Sequence, residues 1–306
     1  MRIVRGAIFL VVVGAGCVDP SPSGSGPTGP GKDQPCEGDC QVEGAVMLGG
    51  RSGLTDTVPL TDIWSWSGTA WTQLSIEFPP GRPQCLGVAS GQIFAYSDVA
   101  STGSGGVVPN MLGYLGWTGS TWTPLSAPST AEDFTSGTGP TTVACSTATA
   151  PPLGPDAVMA PFHDQIVLVG GSPTQTWIWD HAWHQLDVPG PTPRGYASIA
   201  ALGDQLVLFG GEVSDGNLLN DTWAWDGTAW TQLEPAGPVP PPRMSGAIAA
   251  VGGALVLFGG WDPTDDTLSD TWTWDGHAWT AHDVSGPTDR AEALMVTQAA
   301  ATDPIE

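Results

Sequence analysis

Tryptophan enters this chain almost entirely inside one short motif, written five times. It reads Asp62-Ile-Trp64-Ser-Trp66-Ser-Gly-Thr-Ala-Trp71, then Gly113-Tyr-Leu-Gly-Trp117-Thr-Gly-Ser-Thr-Trp122, then a shortened Gln175-Thr-Trp177-Ile-Trp179-Asp-His-Ala-Trp183. Asp221-Thr-Trp223-Ala-Trp225-Asp-Gly-Thr-Ala-Trp230 and Asp270-Thr-Trp272-Thr-Trp274-Asp-Gly-His-Ala-Trp279 complete the set. Of the 15 tryptophans, Trp261 alone stands outside it. The last Trp of each copy recurs after 51, 61, 47 and 49 residues, and a period near that length is the mark of a propeller or solenoid.

Each motif carries its own strand grammar. Trp-x-Trp puts both indoles on one face of a strand, because side chains alternate with period two. Asp-Gly or Ser-Gly supplies a hairpin turn, and Trp-Thr-Gln-Leu begins the next strand. Upstream lies a second repeated element, clearest in Tyr196-Ala-Ser-Ile-Ala-Ala-Leu-Gly-Asp-Gln-Leu-Val-Leu-Phe-Gly210-Gly211 and in the stretches ending at Gly170-Gly171 and Gly259-Gly260. It reads as a small-residue strand suited to crowding round an axis, a tight turn, an apolar strand buried on both faces, and a Gly-Gly stop. Four antiparallel strands per repeat describe a propeller blade. The 42 Gly, 29 Pro and 13% charged residues fit turn-rich β structure.

The order Pro-x-Arg, small strand, apolar strand with Gly-Gly, Asp-x-Trp-x-Trp and Trp-x-x-Leu resembles the kelch repeat. The resemblance covers roughly residues 42–298. Units 1, 4 and 5 are good, unit 3 is short, and unit 2 is degenerate, with Ser97-Asp98 where Gly-Gly belongs. It implies an all-β, kelch-type β-propeller of five four-stranded blades, with residues 126–154 as an insertion. The first unit begins at its second strand, and Arg290-Ala-Glu-Ala-Leu-Met-Val-Thr near the C-terminus matches the first strand of units 4 and 5. The C-terminal strand is therefore expected to complete blade 1 and remove an open edge. Residues 299–306 read as a tail.

The N-terminus reads as an address. Arg2 and Arg5 precede an apolar run and then Gly14-Ala15-Gly16-Cys17, the layout of a secretory signal over residues 1–16. A Cys after small residues resembles the lipobox of bacterial lipoproteins, with Gly14 where Leu is usual, and implies lipid attachment at Cys17. Residues 17–41, rich in Pro, Ser and Gly, read as a tether. The expected location is the bacterial cell envelope, at the outer membrane, in the periplasm or on the cell surface, or secretion if the lipobox is unused. In that oxidising setting Cys36, Cys40, Cys85 and Cys145 are disulfide candidates with three possible connectivities, of which Cys36–Cys40 with Cys85–Cys145 is preferred as pairing a local couple and pinning an insertion.

Formal net charge is −23, a field that repels phosphate backbones and excludes nucleic acid as a partner. Arg82, Arg194, Arg243 and Arg290 all open a unit's first strand, near one mouth of the channel. They could form a guanidinium ring for a carboxylate or sulfated glycan. Alternatively each pairs with the Asp opening its blade's Trp motif: Arg194 with Asp221, Arg243 with Asp270, Arg290 with Asp62. Blade 3 has neither member, showing Gly154 and Gln175, and blade 2 has Arg82 alone, which leaves Arg82 the most available. Trp261 lies beside Asp262, Asp265 and Asp266 and reads either as a sugar platform or as packing over its blade. Those loop acids match no EF-hand spacing.

No catalytic constellation, metal site or cofactor is assigned. Galactose oxidase shares kelch-like blades, but its copper site needs paired Tyr and His with a Cys–Tyr crosslink, which Tyr96, Tyr114 and Tyr196 do not supply. The function expected is a monomeric, membrane-anchored binding or scaffolding module for a protein or glycan. The alternative is a carbohydrate-active enzyme, which would require two converging carboxylates at an open channel mouth.

Overall fold

The computed structural model describes residues 44–53, 60–77, 82–89, 92–98, 113–117, 122–125, 156–163, 165–171, 173–179 and 182–298. Residues 75–77, 82–89, 92–98, 113–117, 122–125 and 298 are described by backbone alone. The strands are β1 (Gly44–Leu48), β2 (Asp62–Trp66) and β3 (Trp71–Glu77); β4 (Arg82–Ala89), β5 (Gln92–Asp98), β6 (Gly113–Trp117) and β7 (Trp122–Leu125); β8 (Val158–Phe162), β9 (Gln165–Gly170), β10 (Gln175–Trp179) and β11 (Trp183–Leu186). They continue with β12 (Ser198–Leu202), β13 (Gln205–Phe209), β14 (Thr222–Trp225) and β15 (Trp230–Leu233); β16 (Ala247–Val251), β17 (Ala254–Phe258), β18 (Thr271–Trp274) and β19 (Trp279–His282); and β20 (Leu294–Gln298).

Every one of these strands pairs antiparallel within a four-stranded sheet. Four blades, not five, are described with their side chains: β20-β1-β2-β3, β8–β11, β12–β15 and β16–β19. The remaining sheet, β4–β7, is described by its strand pairing. β20 lies against β1 with Gly44 opposite Gln298 and Leu48 opposite Leu294, so the C-terminal strand completes blade 1. The innermost strands stand side by side in the order β8, β12, β16, β20, β4.

The repeat explains this packing. Leu255, Val256, Leu257 and Phe258 of β17 are each at most 1% exposed, as a strand covered on both faces requires. The Trp pairs meet across their hairpins: Trp66 opposite Trp71, Trp225 opposite Trp230, Trp274 opposite Trp279. Their ring centroids lie 5.2, 5.5 and 5.4 Å apart, within the range of tilted aromatic pairs. Each pair packs on the apolar second strand of the preceding blade, Trp71 on Phe258 and Trp279 on Phe209, with ring centroids 5.3 and 5.0 Å apart. The core therefore lies between blades rather than within one.

Hydrogen bonds tie the same seams. Trp71 Nε1 donates to Thr271 Oγ1 (2.9 Å), Trp230 Nε1 to Thr176 Oγ1 (2.9 Å) and Trp279 Nε1 to Thr222 Oγ1 (3.0 Å). In each case the Thr is the residue preceding Trp-x-Trp in the neighbouring blade. Gly-Gly has a steric reason: Gly259 has φ +64°, and a Cβ there would lie 2.2 Å from the Arg290 carbonyl oxygen. The chain turns under the next blade's entry, where no side chain fits.

Of the expected cysteines, Cys17, Cys36, Cys40 and Cys145 lie outside the described residues, as do the signal, the tether, the insertion and the tail. Cys85 sits on β4 opposite Tyr96. Arg82 opens β4 opposite Asp98, and its side chain is outside the description.

Candidate functional site at the channel mouth

Strand direction brings the entries to first strands, the Gly-Gly stops and the Asp-x-Trp openings to one end of the ring. Here the arginines are found, and they are spoken for. Arg194 binds both carboxylate oxygens of Asp221, and its Nη1 donates to the Gly210 carbonyl at 3.0 Å. Arg243 repeats this with Asp270 (2.6 and 2.6 Å) and the Gly259 carbonyl (2.9 Å). Arg290 does so with Asp62 (2.8 and 2.8 Å) and the Gly49 carbonyl (3.2 Å). The three arginine side chains are 1%, 0% and 0% exposed. A ligand-capturing guanidinium ring is thus absent from these blades: bidentate pairing and burial commit each group to its own blade.

Each Asp also accepts from the first Trp of its motif, Trp64 at 2.6 Å, Trp223 at 2.8 Å and Trp272 at 2.7 Å. Burial pushes the Asp62, Asp221 and Asp270 carboxyls up, but the arginine hydrogen bonds and charge, with the indole donors, outweigh it. All three are held below the ordinary carboxylate value. In blade 3, Gln175 Oε1 accepts a hydrogen bond from the Trp177 indole N–H (3.0 Å), with no arginine at the clamp position to hold.

Trp261 is likewise buried, at 0% exposure, packed with Met244 and Ala291. It offers no face to a sugar. The acidic loop beside it is organised by its own polar groups. Asp262 Oδ1 accepts from Thr264 N (2.7 Å), Thr264 Oγ1 (2.8 Å) and Asp266 N (3.0 Å), and among the described residues no three His, Cys, Asp or Glu side chains converge on a metal position.

What remains at the mouth is a rim that sequence reasoning passed over. Two residues after each clamped arginine stand Tyr196, Ser245 and Glu292, with φ of 57°, 55° and 59°. A left-handed non-glycine residue costs roughly 1–2 kcal/mol. A belt of backbone hydrogen bonds holds them there: Tyr196 N to Asp156 O (2.9 Å), Ser245 N to Tyr196 O (2.8 Å) and Glu292 N to Ser245 O (3.0 Å). Asp156 is blade 3's member of the belt. These four residues, with the small residues beneath them such as Ala157, Ala197, Gly246 and Ala293, line a cavity of ≈ 70 Å³. That is room for a few waters, well under the roughly 300–1,000 Å³ of pockets that enclose small ligands.

The rim backbone repeats, but its side chains do not. The Arg51 guanidinium lies 5.2 Å over the Trp261 ring and pairs with Glu292, joining blade 1 to blade 5. Asp156 lies against Gly195, where a Cβ would stand 2.6 Å from the Asp156 Cβ and 2.7 Å from its Oδ2. The corresponding residues of the next blades are Met244 and Ala291, so this glycine clears space at one place on the rim. The signal was present in the aligned repeats, as the residue two after Arg and the residue after Gly-Gly.

Blade geometry, Gly-Gly stops and Arg–Asp–Trp clamps together define a kelch-repeat β-propeller. Consistently, residues 157–302 match the profile of the KLHDC2/KLHL20/DRC7 Kelch-repeats domain, a span covering blades 3 to 5 and the closing strand. No curated protein matches the chain.

Proposed function

We propose that this chain is an exported propeller, anchored to the cell envelope through a lipid on Cys17, that holds a protein partner against the face bearing the channel mouth. The kelch propeller fold itself suggests a protein-binding or scaffolding module. One observation carries the choice of face: the repeated Trp, Arg and Asp side chains are consumed in building the blades, and the rim side chains are the ones that differ from blade to blade at a constant backbone geometry. The cavity size supports a surface contact over an enclosed substrate. Of the two rim carboxylates, Glu292 is already paired with Arg51, which speaks against an acid–base pair for glycoside chemistry.

The test is photo-crosslinking in the native host. A crosslinking residue at Ser214 or Thr264 on the mouth face should trap a protein, and one at Gly203 or Gly252 on the opposite face should not. Equal trapping from both faces, or capture of glycan alone, overturns the reading. Cys17→Ser should move the chain from the detergent phase to the aqueous phase, and unchanged partitioning would remove the anchor.

A further inference from the structure

We infer that Asp156 is a docking point for a guanidinium group, the arginine side chain of a protein partner; the inference deepens the reading above and rests on it. The rim already shows how it treats such a group, since Glu292 and the Trp261 ring hold the guanidinium of Arg51. Asp156 is the other carboxylate lining the cavity, and no described residue donates a hydrogen bond to its side chain or pairs with it.

The described cations of this face are all engaged. Arg194, Arg243 and Arg290 are buried in their clamps, and Arg51 is 12% exposed and on Glu292. In a chain of net charge −23, a carboxylate with no cation paired to it among the described residues attracts one from outside. Tyr196 follows Asp156 on the rim, and the bond from Tyr196 N to the Asp156 carbonyl (2.9 Å) fixes the backbone that carries the carboxylate. Gly195, in place of a larger residue, leaves the Asp156 carboxylate room beside the channel. The cavity is too small for a folded ligand but sufficient for the end of one extended side chain.

The experiment uses the full chain, isotope-labelled, titrated with n-butylguanidinium, n-butylammonium and n-butanol while the amides of residues 195–198 are followed by NMR. Saturable shifts with n-butylguanidinium are expected, at least tenfold tighter than with n-butanol, and weaker at high salt. Asp156→Asn should weaken binding at least tenfold, and Asp204→Asn, on the opposite face, should leave it unchanged. No saturable shift, equal response to n-butanol, or equal affinity in D156N overturns the inference; tighter binding of n-butylammonium than n-butylguanidinium overturns the preference for arginine. The cation–alcohol comparison needs no variant, so it stands even if D156N is destabilised. Loss of the cation signal with a crosslinked partner retained removes this inference alone, and absence of any crosslinked partner removes the parent reading instead.

Discussion

Asp270→Asn keeps the shape of the clamp in blade 5 and takes away its charge. Arg243 would remain with a side chain 0% exposed, bonded to the carbonyls of Pro241 (3.2 Å) and Gly259 (2.9 Å) but with its counter-charge gone. One amide nitrogen would also face a donor where a carboxylate oxygen had been. Breaking a buried ion pair by removing one partner costs roughly 3–5 kcal/mol, because the surviving charge cannot be rehydrated. For a domain of this size about 2–4 °C of melting temperature is lost per kcal/mol, so Tm should fall by roughly 6–20 °C. The assay is thermal and urea unfolding followed by near-ultraviolet circular dichroism, which the buried tryptophans make sensitive. Arg243→Met in the same background should recover part of the loss, as two groups that depend on each other do not add. A loss below about 1 kcal/mol, the scale of a solvent-exposed pair, would refute the claim that the clamp holds the blade, as would an additive double variant.

Three further outcomes are expected. Asp62, Asp221 and Asp270 are all held below their ordinary value of 3.8, so the stability they contribute is present above that pH and is lost as pH falls through their folded values. Melting temperature should therefore be flat near neutrality and drop on acidification below about pH 4, with D62N/D221N/D270N showing a shallower fall. Trp279→Phe keeps an aromatic side chain but removes the donor to Thr222 Oγ1, leaving a buried hydroxyl unpaired; about 1–3 kcal/mol should be lost in urea unfolding, and Trp279→Ala should lose more through the emptied seam. Truncation before residue 290 removes β20 and Arg290 together; it should lower the melting temperature of the whole domain rather than release a single blade, and an unchanged transition would contradict the pairing of β20 with β1.

The clamps were legible in the sequence because both members repeat. Arg194 to Asp221 and Arg243 to Asp270 share one offset, and Arg290, lacking a following unit, could pair only with Asp62 once the chain was drawn as a ring. Gln175 with no arginine before it was legible for the same reason. The Thr–Trp bonds were not, because they cross between blades and depend on which blades are neighbours. Tyr196, Ser245 and Glu292 carry no hint of left-handed backbone, since glycine, the usual sign, is absent there. Trp261 was legible in part. As the unrepeated tryptophan it left a sugar platform and packing both open, and packing holds: it fills the seam under Arg51, where blade 5 meets blade 1. Unit 2, the most degenerate in sequence, still pairs as the four-stranded sheet β4–β7, and four blades are described with their side chains.

The clamp in blade 1 is chemically the same as those in blades 4 and 5, but its ends are far apart along the chain. Asp221 and Asp270 lie 27 residues from their arginines, whereas Asp62 lies 228 residues from Arg290. Chain-closure entropy rises with the logarithm of that separation and puts the long clamp about 2 kcal/mol behind the short ones before any contact forms. Blades 4 and 5 can assemble as soon as their own residues are available. Blade 1, synthesised ahead of the other blades, cannot finish until β20 has emerged, and its strands must wait with β1's inner edge unpaired. A ring built this way stays open until its closing strand has been made, which is the condition a polypeptide needs if it is to be threaded across a membrane before it folds.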